Sequence, residues 1–103
     1  MIRPSPVRRL IDAVNAGDAE ALLEAFDGGG AVDDRGRMHR GRSAIAAWSS
    51  SVLIGAGVRL SALSVEGDDT FTVVVAEDRR GGTGLRTFTF ALDGESIRLM
   101  TVR

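Results

Sequence analysis

Apolar residues recur at helical spacing in three segments of the first half of the chain. Residues that commonly cap helices, Ser5, Asp18 and Ser43, precede these segments. The apolar positions are Val7, Leu10, Ile11 and Val14 in the first segment, Leu22, Leu23 and Phe26 in the second, and Ile45, Trp48 and Val52 in the third. Because a spacing of three or four residues gives a helix one apolar face, the pattern predicts three amphipathic helices.

The remaining segments have the composition and alternation of β-strands. A short strand at residues 31–34 and a returning strand flank Arg35-Gly36, where a hairpin can turn. The glycines at 28–30 are interpreted as a loop. Four further β-rich runs, joined by connections short enough to make neighbouring strands antiparallel, are 58–65, 71–76, 85–92 and 97–102. Helices followed by a meander predict one α+β domain over residues 1–103, with the helices packed on one face of a curved sheet.

Asp34 is the candidate catalytic residue because of the strand on which it lies. Successive side chains of a strand point to opposite faces, so Asp34 shares a face with Val32. If Val32 faces the core, Asp34 faces it too, and a carboxylate in that position is a candidate general base. The alternative is a strand too short to bury anything, which leaves Asp34 in solvent beside Arg35 and Arg37.

The run at 85–92 places an arginine in line with two phenylalanines. Arg86, Phe88 and Phe90 share one face of this strand. Two interpretations stay open, since arginine is rarely buried without a partner. Arg86 either extends into solvent from the start of the strand, or it reaches into a pocket and pairs with Asp34 or with an anionic group of a ligand.

His39 and Trp48 are further candidates for the same pocket. His39 lies on the returning strand, either on the Asp34 side, where an imidazole suits proton transfer, or at the surface. Trp48 is either a core residue of the third helix or part of a pocket wall.

Composition narrows the possible classes of function. A chain of 103 residues with 44% hydrophobic content supports one core, and a net charge of −1 with scattered arginines argues against nucleic acid as a partner. With no cysteine and a single histidine, neither a disulfide nor a two-histidine metal site can form within one chain, and we expect no metal and no cofactor. No apolar run approaches the roughly 20 residues of a membrane span, and no signal peptide is evident, so a cytoplasmic protein without membrane contact is expected.

Three consecutive valines at 73–75 place apolar groups on both faces of their strand. Helices can cover only one face of the sheet. The other face is therefore predicted to pack against a second copy in an isologous homodimer, with β-propensity alone as the alternative explanation.

Three segments of the chain resemble the nuclear transport factor 2-like superfamily, in particular its SnoaL-like and ketosteroid-isomerase-like branch. They are residues 7–26, 31–48 and 88–102, and they follow one another in the family's order. The resemblance implies a cone-shaped fold, in which three N-terminal helices pack on the concave face of a curved, mainly antiparallel sheet. It also implies a pocket inside the cone and dimerisation through the sheet.

Carried over residue by residue, the resemblance places the isomerase's catalytic base on Asp34. The isomerase's oxyanion-hole tyrosine falls on Leu10, and its protonated aspartic acid falls on Arg86. Steroid isomerisation is not expected, because both neutral donors are missing, unless Arg86 substitutes for them as a cationic stabiliser. The combination of Asp34 and Arg86 is closer to relatives such as epoxide hydrolases, in which an arginine lies between acidic groups. A second acid is not evident on the matching face.

The sequence thus predicts a SnoaL-like protein with a pocket for a small apolar molecule. If it is an enzyme, Asp34 carries out isomerase-, cyclase- or hydrolase-like acid/base chemistry while Arg86 holds a carbonyl or carboxylate. The predicted pocket wall consists of Leu10, Val14, His39, Trp48, Phe88, Phe90 and Leu99. The alternative is a non-catalytic dimeric binding or scaffold module of the same fold.

Overall fold

The computed structural model describes residues 5–67, 70–79 and 82–103. Its elements in chain order are α1 (Ser5–Ala16), α2 (Ala19–Glu24), β1 (Phe26–Asp34), β2 (Arg37–Arg40), α3 (Arg42–Val52), β3 (Arg59–Glu66), β4 (Thr70–Arg79), β5 (Gly82–Asp93) and β6 (Ser96–Val102). The strands form one six-stranded sheet in the order β2-β1-β6-β5-β4-β3. This is the α+β fold that the sequence predicts.

The sheet is mixed, because its first strand, β1, lies beside its last strand, β6, and the two run in the same direction. β1 pairs with β6 in parallel, whereas every other neighbouring pair is antiparallel. Register shifts, which bend strands, interrupt three of these pairs. They lie between Phe26 and Ala31 in β1, between Ala62 and Ser64 in β3, and between Ala91 and Leu92 in β5. The result is a curved sheet with helices packed against it.

The glycines at 28–30 belong to β1 and do not form the loop that the sequence predicts. A Cβ atom at Gly30 would approach the backbone oxygens of Asp27 and Ile97 to 2.9 Å. The irregular part of β1 therefore needs glycine because two backbone segments come close together there. The loop prediction was wrong because the run of three glycines shows only that side chains are absent, and it does not show the strand against which they pack.

The helix starts agree with the sequence in part. The Asp18 side chain accepts a hydrogen bond from the Ala21 amide at 3.1 Å, which confirms it as the cap of α2. The prediction for α3 was wrong, because Gly41 occupies the N-cap with φ 88° and Ser43 lies inside the helix. Glycine tolerates this positive φ, whereas a serine at the N-cap adopts an extended backbone conformation.

The core lies between the helices and one face of the sheet. α1 contacts β3 and β6, α2 contacts β1, and α3 contacts β1 and β2. Burial alternates along β4, where Val73 and Val75 are completely buried and Val74 between them is half-buried. One face of this strand therefore looks into the core, and the homodimer through the other face stays a prediction.

Candidate functional site

A cavity of about 380 Å³ lies at one end of the sheet, where β1, β4 and β6 end and β2 and β5 begin. We call it the Asp34 cavity. Five of its lining residues are apolar and six are ionisable. They are Trp48, Val52, Leu53, Phe88 and Val102, with Asp34, Arg35, Arg37, Glu77, Arg79 and Arg86. The sequence predicted an apolar pocket, whereas the wall combines an apolar part with a strongly charged one.

Strand register explains why these side chains meet. Val102 of β6 pairs with Asp34 of β1 on one side and with Phe88 of β5 on the other. Residues that are directly opposite across a sheet point to the same face, so the three side chains form one row. Arg86 lies two residues before Phe88 on β5 and therefore faces the same side.

Asp34 occupies the inward position that alternation with Val32 predicts. Val32 is completely buried, and Asp34, at the end of β1, is half-buried. Trp48 of α3 donates a hydrogen bond from Nε1 to Asp34 Oδ2 at 3.0 Å. Among the described residues, this is the one side-chain donor to the Asp34 carboxylate. Trp48 thus orients the carboxylate through one oxygen, and the side chains of the described residues donate no hydrogen bond to the other.

Glu77 is a second carboxylate in the wall, and it is only 6% exposed. Its Oε1 atom lies 2.8 Å from Arg79 Nη2 and 3.4 Å from Arg86 Nε. Arg86 is directly opposite Val75, so Glu77 is its diagonal neighbour across the β4–β5 pair. Long side chains reach across that diagonal, and the pairing fixes the guanidinium of Arg86 at the cavity.

Glu77 is the second acid that was not evident from the sequence. The strand was predicted to stop at Ala76, whereas β4 continues to Arg79. The signal was present in the alternation, since Val73, Val75 and Glu77 are buried in turn on one face. Extending the predicted strand by one residue would have included this acid.

Asp34 and Arg86 line the same cavity, as the sequence analysis suggested. Within the described residues, the ion-pair partner of Arg86 is Glu77, and no nitrogen of Arg86 lies within 4 Å of Asp34. The sequence left Asp34 or an anionic group of a ligand as possible partners of an inward-facing Arg86, and in the structure its partner is Glu77. Arg86 is also not a solvent-directed side chain, because only 23% of it is exposed.

His39 lies next to this site. It pairs with Val32 across β1 and β2, and it is half-buried. Its ring centre is 6.1 Å from that of Trp48. Both rings line a second cavity of about 310 Å³, which shares Asp34, Arg37, Trp48 and Val52 with the first. His39 is therefore on the Asp34 side without reaching the Asp34 cavity itself.

The other predicted wall residues are distributed between the core and the outer side of the sheet. Phe88 lines the Asp34 cavity and packs edge-to-face against Phe90 at 6.2 Å. Phe90, Leu10 and Val14 are buried in the core and do not line this cavity. Leu99 is half-buried and lies on the face of β6 opposite to its buried neighbour Met100, because successive residues of a strand alternate between the two faces.

The described part of the chain holds no cluster of three or more histidine, aspartate or glutamate side chains close enough to bind a metal ion. Over residues 5–67, 70–79 and 82–103, no helix is long and apolar enough to cross a membrane.

Comparison with known proteins confirms the resemblance drawn from the sequence. The model of the SnoaL-like domain family matches residues 7–102. No curated protein matches the chain.

Several solved structures share the fold. A provisionally assigned polyketide cyclase from Sinorhizobium meliloti is 26% identical with a TM-score of 0.90, over 98% of this chain and 95% of that one. SalBIII, described as an epoxide hydrolase/cyclase-like enzyme of pyran ring formation in the polyether salinomycin, is 21% identical with a TM-score of 0.83, over 94% and 85%. A Mycobacterium tuberculosis protein in complex with estradiol-17β-hemisuccinate is 15% identical with a TM-score of 0.83, over 98% and 93%. The last two likenesses show the fold alone.

Proposed function

The chain belongs to the SnoaL-like domain family, and we propose that it is a small-molecule enzyme in which Asp34 performs the acid/base step. The reaction class that fits best is addition of a hydroxyl group with opening or closing of a ring, as in cyclases and epoxide hydrolases. One observation carries this proposal. A carboxylate held by Trp48 and an arginine held by Glu77 line one cavity of about 380 Å³.

Asp34 acts as the general base. Its carboxylate takes the proton of a hydroxyl group, either from water or from the substrate, as that oxygen forms a bond to an electrophilic carbon. The hydrogen bond from Trp48 Nε1 at 3.0 Å keeps the carboxylate oriented during this transfer. Positioned bases of this kind contribute rate factors of about 10²–10⁴.

Arg86 stabilises the oxygen that leaves the same carbon. The carbon–oxygen bond of the ring breaks as the new bond forms, and negative charge develops on the released oxygen. The terminal nitrogens of Arg86 bind that oxygen, which then takes a proton from solvent while Asp34 returns its own proton to solvent. Preorganised donors at a developing charge are often the largest contribution to catalysis.

Glu77 acts through Arg86. Its Oε1 atom faces both Arg86 Nε and Arg79 Nη2, at 3.4 and 2.8 Å. We therefore assign Glu77 a positioning role, in which it holds the guanidinium of Arg86 toward the substrate. Arg86 is paired with one acid, Glu77, and shares its cavity with a second acid, Asp34, and this supports a hydrolase- or cyclase-like reaction over steroid isomerisation.

Replacing Asp34 with asparagine tests the catalytic proposal. The neutral amide keeps the shape of the side chain but does not take the proton, so we expect turnover to fall by at least about 10²-fold while ligand affinity changes little. Turnover is followed by mass spectrometry with a panel of small epoxides and hydroxy-epoxides. Asp33→Asn is the matched control, because the neighbouring side chain points to the opposite face and is bonded to the Gly36 amide at 2.7 Å.

A wild-type protein that converts no member of the panel, or an Asp34→Asn variant that is as active as wild type, contradicts the assignment. Ligand binding without turnover would instead favour the second candidate, a non-catalytic dimeric binding module. That candidate is supported by exposed apolar side chains on the sheet, since Leu63 is 59% exposed and Leu85 is 70% exposed. Light scattering tests its dimer, which a monomer mass at all concentrations would exclude.

A further inference from the structure

We propose that the substrate is an amphipathic carboxylic acid whose anionic group binds to Arg35 and Arg37 at the mouth of the Asp34 cavity, an inference that rests on the function proposed above. The apolar body of such a molecule would pack on Trp48 and Phe88, which line the same cavity. Its reactive carbon would then lie between the mouth and the Asp34 carboxylate.

The charge of the wall is the first observation. The lining contains four arginines and two carboxylates, so its formal net charge is +2. The chain as a whole carries −1, so the positive cavity is a local feature and not a consequence of composition. A cleft with a net positive charge attracts anionic molecules.

The distribution of this charge points to the β1–β2 turn. Glu77 is paired with both Arg79 and Arg86, so these two arginines are already shared with a carboxylate. Among the described residues, no carboxylate lies within 4 Å of a guanidinium nitrogen of Arg35 or Arg37. Both side chains are exposed, and both are free to bind an anion in the bidentate manner typical of arginine.

The backbone of Arg35 is the second observation. Arg35 has φ 55°, and it is the one non-glycine residue of the described chain with a positive φ. Gly36 follows with φ 91°, so the two residues form the kind of turn in which asparagine, aspartate or glycine is preferred at the first position. An arginine held in this conformation costs conformational energy, and such strain tends to occur at functional positions.

The turn also holds its arginines in place. The Gly36 amide donates to Asp33 Oδ1 at 2.7 Å, and the Arg35 amide donates to the Val102 carbonyl at 3.2 Å. The turn is thereby tied to the end of β6. Asp34 has no ion-pair partner among the described residues and would repel an anion beside it, which favours the mouth as the place of the substrate's charged group.

A pair of probes that differ only in charge tests this inference. Trp48 is the one tryptophan of the chain and lines the cavity, so its fluorescence reports occupancy. We expect cyclohexylbutanoate to bind roughly tenfold more tightly than the uncharged cyclohexylbutanamide. Added salt should narrow the difference, because the arginines are exposed.

Two double variants locate the effect. Arg35→Asn with Arg37→Gln should abolish the preference for the carboxylate and leave the affinity for the amide unchanged. Asparagine also suits the positive φ at position 35, so this variant should unfold at a temperature no lower than wild type. Arg40→Gln with Arg42→Gln removes the same charge from exposed positions outside the wall, and it should keep the preference.

The inference is overturned if wild type does not bind the carboxylate more tightly than the amide, or if the control variant loses the preference as fully as the turn variant. Asp34→Asn separates this result from the proposed function. A preference for the carboxylate without any turnover would support the anion site and contradict the proposed enzymatic activity. If Asp34→Asn loses turnover but wild type shows no preference for the carboxylate over the amide, the anion site is contradicted and the proposed catalytic role of Asp34 is supported.

Discussion

Replacing Glu77 with glutamine tests whether this acid holds Arg86 in place. The substitution keeps the size of the side chain and removes the charge that Arg79 and Arg86 share. Breaking a buried ion pair by removing one partner costs about 3–5 kcal/mol, whereas an exposed pair is worth at most about 1 kcal/mol. Glu77 is buried, but the side chains of Arg86 and Arg79 are 23% and 41% exposed, so solvent screens part of the interaction.

We therefore expect Glu77→Gln to lower the free energy of unfolding by about 2 kcal/mol, between these limits. For a domain of this size, that loss lowers Tm by roughly 10 °C. Urea unfolding followed by circular dichroism measures the free energy. A double-mutant cycle with Arg86→Gln should give a coupling energy of about 1–2 kcal/mol, and the cycle with the more exposed Arg79 should give less.

A coupling to Arg79 that exceeds the coupling to Arg86 would refute the positioning role of Glu77. So would a Glu77→Gln variant with wild-type stability and wild-type turnover. If the role is correct, the variant also loses activity through a lower kcat, because Arg86 is then free to leave the substrate oxygen. A rise in KM with unchanged kcat would assign Glu77 to substrate binding instead.

Two further variants test contacts that hold the site and the fold. Trp48→Phe removes the donor to Asp34 and part of a buried ring, so we expect a loss of about 2–3 kcal/mol in urea unfolding by circular dichroism, together with reduced turnover. Wild-type turnover in Trp48→Phe would show that Asp34 needs no orienting donor. Asn15→Ala removes two hydrogen bonds between the end of α1 and the Leu60 backbone, at 2.9 and 2.7 Å, and should cost about 1–3 kcal/mol. Hydrogen exchange should accelerate in β3, and unchanged exchange there would show that the edge strand is held by other contacts.

The order of the elements followed from local patterns, because amphipathic helices and alternating strands are local signals. The extent of β1 did not follow from local patterns. Its pairing with β6 joins residues far apart in the chain, such as Phe26 with Ile97, and the Ile97 amide donates to the Ala25 carbonyl at 2.8 Å. These contacts keep a glycine-rich segment in the sheet despite its poor intrinsic preference for strands.

The candidate site was predictable wherever alternation alone decides the direction of a side chain. Val32 determined the orientation of Asp34, and the same rule applied to Val73 and Val75 would have revealed Glu77. The partner of Arg86 could not be predicted in this way. It depends on the register between β4 and β5, which aligns Val75 with Arg86 and which no single strand specifies.

Asp34 and Glu77 lie at corresponding places in β1 and β4, where each strand passes from the core to the cavity. In β1 the inward residue before Asp34 is Val32, and in β4 the inward residue before Glu77 is Val75; both valines are completely buried. Asp34 therefore takes the last inward position of β1 and Glu77 the last buried inward position of β4, places that an apolar residue would fill if stability alone mattered. Because β1 and β4 both end at the cavity, the alternation that builds the core also delivers the ionisable groups to one place.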